Sequence, residues 1–244
     1  MTEVNVLHNS GTYSILTPPE FIKMQPLIIE TAGRTCYQSD RGQPITSKTA
    51  TKFCKMLINR GHEAMIEHSS LSVRFDLHSR GMTHELVRHR LASPGQESTR
   101  YVDYELERNT ARAVMPPSGK KDAYQKAFDD AFNHYAELRA AGEPAEDARQ
   151  VLPIGIKSEI VVTCNLREWR HVFDMRCDKF AHWEIRRTMV NLLKECKLLL
   201  PGLFDDFVYA GDHRNIPYYV KLIPHGKLNR QIRLRKRLEE QEEK

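Results

Sequence analysis

The sequence predicts an α+β fold, a single domain in which a β-sheet is packed by long helices. Three observations carry that expectation. Residues 122–141 and 180–200 place apolar side chains at helical spacing over long stretches. Residues 70–77 alternate Leu71, Val73, Phe75 and Leu77 with Ser72, Arg74 and Asp76, the period of a half-buried strand. The patterns do not alternate in regular βαβ order, and no Gly-x-Gly-x-x-Gly follows a strand, so a Rossmann motif is not expected.

The elements follow in chain order. Pro18-Pro19 before Glu20-Phe21-Ile22 reads as a helix start over 18–35. A second helix runs from Ser47 to about Arg60, with Phe53, Met56 and Leu57 inward and Gly61 ending it. After the 70–77 strand, Thr83 is a cap for a short helix carrying Glu85 to Arg88, which a Pro94-Gly95 turn breaks. Residues 109–121 contain Pro116-Pro117-Ser118-Gly119 and read as a linker or loop. The 122–141 helix puts Tyr124, Ala127, Phe128, Ala131, Tyr135 and Leu138 on one stripe. A short helix over 146–151 stops before Pro153. Ile160 to Cys164 is β-branched and reads as a buried strand. Helices then cover 166–173 and 180–200, the second with Ile185, Met189, Leu193 and Cys196 inward. The expected organisation is one domain over 1–225 and a charged helix or tail over 226–244, where a basic run from Lys227 to Arg237 precedes an acidic one.

Composition narrows the function classes. A chain of 244 residues with 40% apolar and 28% charged residues buries a full core. No apolar run nears the ~20 residues of a membrane span, and no secretory signal is visible, so a cytoplasmic location is expected. Five scattered cysteines without a Cys-x-x-Cys pair argue against a disulfide frame or a cysteine zinc site. Only Cys177, beside Arg176, stands in a context worth checking for a reactive thiol. The net charge of +5 suits anionic ligands and equally nucleic acid.

The run from Arg88 to Tyr101, RHRLASPGQESTRY, concentrates three arginines, a histidine and two serines. Arginine presents a rigid fork of donors that fits phosphate oxygens, so an anionic small molecule offsets this clustering of charge. The plainer reading is a solvated basic face, and a nucleic-acid module remains the alternative from another class. With no Gly-rich phosphate loop in the chain, any dinucleotide must be held by arginines and helix N-termini. His62 and His68 are six apart rather than four, which weakens a zinc-hydrolase reading, and no metal is expected.

Arg88-His89-Arg90, seven residues, then Ser98 resembles the signature of the flavin-dependent thymidylate synthases. Gly61-His62-Glu63, Arg149-x-Val151-Leu152-Pro153, Asn165-Leu166-Arg167 and Ala181-His182-Trp183-Glu184-Ile185-Arg186 match further blocks of that family in order, over roughly residues 30 to 210. The chain departs from commoner family residues at Glu85, Gly95, Gln96, Phe180 and His182. The resemblance implies that family's fold and reductive methylation of dUMP to dTMP. Methylenetetrahydrofolate is the carbon donor, FAD the hydride carrier and NADPH the reductant. It also implies a homotetramer with active sites shared between subunits, no nucleic acid and no membrane partner.

The same resemblance assigns roles. Arg176 lies against the uracil and Ser98 beside the reacting nucleotide. Glu85, Arg88, Gln96, Glu97, Ser98, Thr99, Arg100, Arg149 and Arg176 bind substrate. His62, Arg88, His89, Arg90, Gln96, Asn165, Arg167 and His171 serve the cofactors, with His62 on the folate and nicotinamide side.

Overall fold

Helices and strands are mixed along the whole chain in the computed structural model, which describes residues 4–8, 10–39, 42, 44–104, 111–117 and 120–223. The order is β1 (Asn5–Leu7), β2 (Thr12–Ile15), α1 (Pro19–Tyr37), α2 (Ser47–Arg60), a 3₁₀ helix (Glu63–His68), β3 (Ser70–Ser79), α3 (Arg80–Leu86), β4 (Ser93–Gln96), β5 (Arg112–Val114), α4 (Lys121–Ala140), α5 (Ala145–Ala148), a 3₁₀ turn (Arg149–Val151), β6 (Lys157–Asn165), α6 (Leu166–Arg176), α7 (Trp183–Leu199), β7 (Phe207–His213) and β8 (Ile216–Lys221). The expected tail over 226–244 lies outside the described residues. Among the described residues no helix is long and apolar enough to cross a membrane.

The chain forms two compact units, each assembled from two separate stretches. One comprises Met1–Ile15 and Ser72–Thr163, the other Leu16–Leu71 and Cys164–Lys244. In the first, a four-stranded sheet has the order β2-β3-β6-β4, and β1 pairs parallel to β5 in a second, small sheet. Its core gathers Phe128, Phe132 and Tyr135 of α4 with Val4, Tyr104, Ala113, Met115 and Ile156. In the second, α7 buries Ile185, Met189, Leu193 and Cys196 completely, at the predicted spacing. The ring of Phe173 on α6 stands edge-on to Phe204 at 5.6 Å and to Phe207 at 6.3 Å. Buried Arg170 donates to both carboxylate oxygens of Asp206, at 2.8 and 2.6 Å, and ties α6 to the start of β7. The β7–β8 hairpin turns through Arg214 and Asn215, both at positive φ.

Several local expectations are corrected. The helix after β3 begins at Arg80, capped by the Ser79 hydroxyl, which accepts from the Met82 N–H at 3.0 Å. Thr83 is buried inside it instead of capping, and the helix ends at Leu86, which leaves Arg88-His89-Arg90 in a turn. Pro94-Gly95 is not a turn: it lies in β4, antiparallel to Val162 and Val161 of β6. β4 is the outer strand of the sheet, where a proline without an N–H is tolerated. The β3 alternation breaks at Leu77, whose φ of 58° shifts the phase so that His78 is buried in its place. β6 is buried on one face only, through Ser158, Ile160, Val162 and Cys164. On α4, Tyr124 and Ala127 are exposed and Phe132 takes the buried position. The 109–121 stretch contains β5, and the last long helix starts at Trp183, with Phe180 exposed before it.

Candidate active site

The first unit carries most of the predicted nucleotide-binding residues. β4 ends at Gln96, and the Glu97 N–H continues its ladder to the Glu159 carbonyl at 2.8 Å. The Ser98 carbonyl then accepts from the N–H groups of Tyr101 and Val102, at 3.1 and 3.0 Å, so residues 98–102 form one tight turn. The Ser98 hydroxyl accepts from the Arg100 N–H at 3.3 Å inside that turn. Arg100 and Arg149, 49 positions apart in sequence, meet at Glu146, Arg100 on its carboxylate and Arg149 on its carbonyl. Arg149 Nη1 donates to the Thr99 hydroxyl at 2.9 Å and its Nε donates to the Glu146 carbonyl at 3.0 Å. Arg100 donates through Nε and Nη2 to one carboxylate oxygen of Glu146, each at 2.8 Å. The α5 end and the Pro144 and Pro153 bounds fix Arg149 where the loop can reach it.

Other predicted residues of this unit have structural partners. Glu97 accepts from the Tyr104 hydroxyl at 2.8 Å and from Lys157 at 3.0 Å. Lys157 also reaches Asp76 at 3.2 Å. Burial pushes the Tyr104 phenol well up, and the charge of Glu97 adds to it, so this hydroxyl is a fixed donor. Gln96 donates its amide to the hydroxyls of Thr83 and Ser158. His89 is buried, whereas Arg88 and Arg90 on either side are exposed. Glu85 is half-buried on α3.

The second unit holds the remaining predicted residues. Asn165 caps α6: its side-chain oxygen accepts from the Glu168 N–H at 2.8 Å. Arg167 and His171 lie one turn apart and are both exposed, and Arg167 pairs with Glu67. Arg176 ends the same helix, nine residues after Arg167. At about 100° and 1.5 Å per residue, that places the two arginines on roughly opposite faces and about 13 Å apart along the axis.

His62 and Arg167 line one cavity of about 840 Å³ together with Cys36, Phe53, Met56 and Arg60. Sequence reasoning put Phe53 and Met56 in the core; they are half-buried because they form this wall. It did not single out Arg60, nor Glu146 and its link to Arg100. Glu146 three residues before Arg149 was the available signal. Cys177, singled out as a candidate reactive thiol, is fully buried, and burial raises its pKa well above the usual thiol value, so it is held protonated.

The family model of the thymidylate synthase complementing protein matches residues 21–202. The chain belongs to this family. The match runs through residues of both units. Among curated members, the flavin-dependent thymidylate synthase of Geobacter sulfurreducens is 35% identical over 182 residues, covering 72% of this chain and 78% of that protein. The protein of the same description from Mycobacterium tuberculosis is 37% identical over 203 residues, covering 75% and 79%. Among solved structures, a UMP/dUMP methylase, PolB from Streptomyces cacaoi, bound with 5-Br dUMP, has a TM-score of 0.67 at 20% identity, covering 83% of this chain and 96% of that one. At that identity the likeness supports the fold.

Proposed function

We propose that the chain is a flavin-dependent thymidylate synthase, an enzyme that methylates dUMP to dTMP with methylenetetrahydrofolate as carbon donor and NADPH as reductant. The observation that carries the substrate half is the meeting of Arg100 and Arg149 at Glu146, with Arg149 also held by Thr99, beside the Ser98 turn. Two guanidinium groups beside a tight turn suit a phosphate dianion. The Arg100–Glu146 pair is exposed on both sides, with half of each side chain open to solvent. Exposed pairs of this kind contribute little to stability, so a phosphate displaces the carboxylate at small cost.

The cofactor half rests on the cavity of the second unit. About 840 Å³ is within the range of cofactor sites, and its wall combines the apolar faces of Phe53 and Met56 with the cations Arg60 and Arg167. Those residues fit a flat heteroaromatic group carrying a diphosphate, and FAD is the group we assign. Bound flavin supplies hydride transfer, chemistry that no side chain provides. The chain binds, orients and stabilises charge. Arg100, Arg149 and Ser98 hold the nucleotide phosphate. Arg176 stabilises the negative charge that develops on the uracil oxygens as C5 becomes nucleophilic. Ser98 binds rather than attacks: its hydroxyl already accepts a backbone N–H, and no base stands next to it in the contacts of its turn. Overall, the methylene carbon and a hydride end as the new methyl group and the C5 proton leaves.

The test is dUMP binding measured by calorimetry on three proteins. Arg149→Ala should weaken dUMP by about tenfold to a hundredfold, the loss of a charge-assisted phosphate contact. Glu146→Gln should bind dUMP as tightly as wild type or more so, because the competing carboxylate charge is gone. Unchanged affinity in Arg149→Ala would remove this cradle from the site.

A further inference from the structure

A second cavity, of about 420 Å³, lies wholly in the second unit and takes no part in the site described above. Its wall combines cations with the aromatic rings of Phe180 and Trp183. Lys179, Arg186 and Arg214 supply positive charge and no carboxylate lines the wall. Asp178, next to Lys179 in sequence, accepts from the Phe180 N–H at 2.8 Å.

The cavity sits at the start of α7, whose cap residue His182 makes no side-chain cap bond to the first-turn N–H groups. Arg186 is a second, independent sign of an anion. It is 1% exposed. Its Nη1 donates to the Lys179 carbonyl at 2.5 Å and its Nη2 to the His213 carbonyl at 2.7 Å. Its buried Nε has no acceptor among the described residues. The guanidinium thus braces both walls through neutral carbonyls, and Asp178 offsets its charge only in part. Burial disfavours the Arg186 cation, and Arg214, carried on the tip of the β7–β8 hairpin, adds like charge to it. A buried cation that is only partly compensated and lies beside a second one is costly unless an anion completes it. Phe180 supplies the other half of the site: its ring is 86% exposed, with Lys179 Nζ 4.8 Å from the ring centre.

We propose that this cavity binds the phosphomonoester end of a nucleotide, with the phosphate at the α7 N-terminus between Lys179 and Arg214 and the base on Phe180. Two sources carry that chemistry: a free nucleoside 5′-phosphate, and the adenosine 2′-phosphate end of the reductant, the second resting on the function proposed above.

The chain has two tryptophans, Trp169 in the core and Trp183 in this wall, so Trp183 fluorescence reports the site without any turnover. The titration uses flavin-free full-length protein with dUMP saturating, so that the other phosphate cradle is filled. Its result stands whether or not the protein proves to be a flavin enzyme. Adenosine 2′-phosphate or 5′-phosphate should change the emission saturably, the tighter ester naming the source. Inorganic phosphate and adenosine should each bind at least about tenfold more weakly. Arg214→Asn, which suits the left-handed backbone there, and Lys179→Gln should each weaken the nucleotide about tenfold, with the melting temperature unchanged. Equal binding of adenosine and its phosphates, unchanged affinity in both variants, or an equal signal in Trp183→Phe would overturn the proposal.

Discussion

The roles proposed for Arg176 and Arg100 differ, and so do their settings. Arg100 is exposed and already paired with an acid, as befits a residue that exchanges one anion for another. Arg176 is half-buried at the last turn of α6, outside the phosphate cradle. Removing one preorganised charge from a closed site costs about 3–4 kcal/mol in the transition state. Arg176→Ala should therefore keep its flavin, seen as an unchanged visible spectrum, while dTMP formation falls roughly a hundredfold to a thousandfold. Near wild-type turnover would remove Arg176 from the chemistry.

At the scale of elements, the arginine loop is anchored by Asp103. It accepts from Arg139 at 2.9 Å and from the Tyr135 hydroxyl at 2.7 Å, both on α4. The Arg139 bond, with help from the Tyr135 hydroxyl, holds the Asp103 carboxyl below its usual pKa of 3.8. A carboxylate with a depressed folded pKa contributes stability above its unfolded pKa and loses it as pH falls through the folded value. Thermal melts of wild type and Asp103→Asn should differ most at neutral pH, with the difference shrinking as pH falls below about 4, the unfolded carboxyl's range, and lost once pH passes the lower folded pKa. A difference that stays constant from pH 7 to pH 3 would show that the charge of Asp103 is not what holds the loop. The variant should also raise the KM for dUMP more than it lowers kcat, since the loop that carries Ser98 and Arg100 loosens.

Long periodic stretches were the legible part of the fold. α2, α4 and α7 follow from apolar spacing, and Gly61 closes α2 in the left-handed conformation the sequence implied. The short strands were illegible for physical reasons. β1 and β5 are three residues each and gain their partners only through tertiary pairing. Pro94-Gly95 carries turn chemistry, yet an open sheet edge accepts it as strand. The β7–β8 hairpin was hidden because a bulge at Gly211 interrupts its period of two. At the site, the arginine signature was legible because charge clustering is itself a signal. The Glu146 link and the Phe53–Met56 cavity wall were not, since an acid beside an arginine and an apolar residue on a helix look the same wherever they face.

At the scale of the whole molecule, α6 presents Arg167 and Arg176 on opposite faces, an arrangement suited to one helix serving two sites. The resemblance to the family implies a homotetramer with shared active sites, and this is the assembly we propose. Mixing inactive Arg88→Ala and Arg176→Ala chains under conditions that exchange subunits should then restore part of the activity. Hybrids confirmed by mass that stay inactive at every ratio would place both arginines in a site within one chain. The central claim is flavin-dependent methylation of dUMP, and its most direct measurement is product analysis on purified protein with and without flavin. With FAD, NADPH, methylenetetrahydrofolate and dUMP, the account predicts dTMP with tetrahydrofolate as the folate product, and no dTMP once the flavin is stripped. Equal dTMP formation by flavin-free protein, or none by protein that holds both flavin and dUMP, would contradict it.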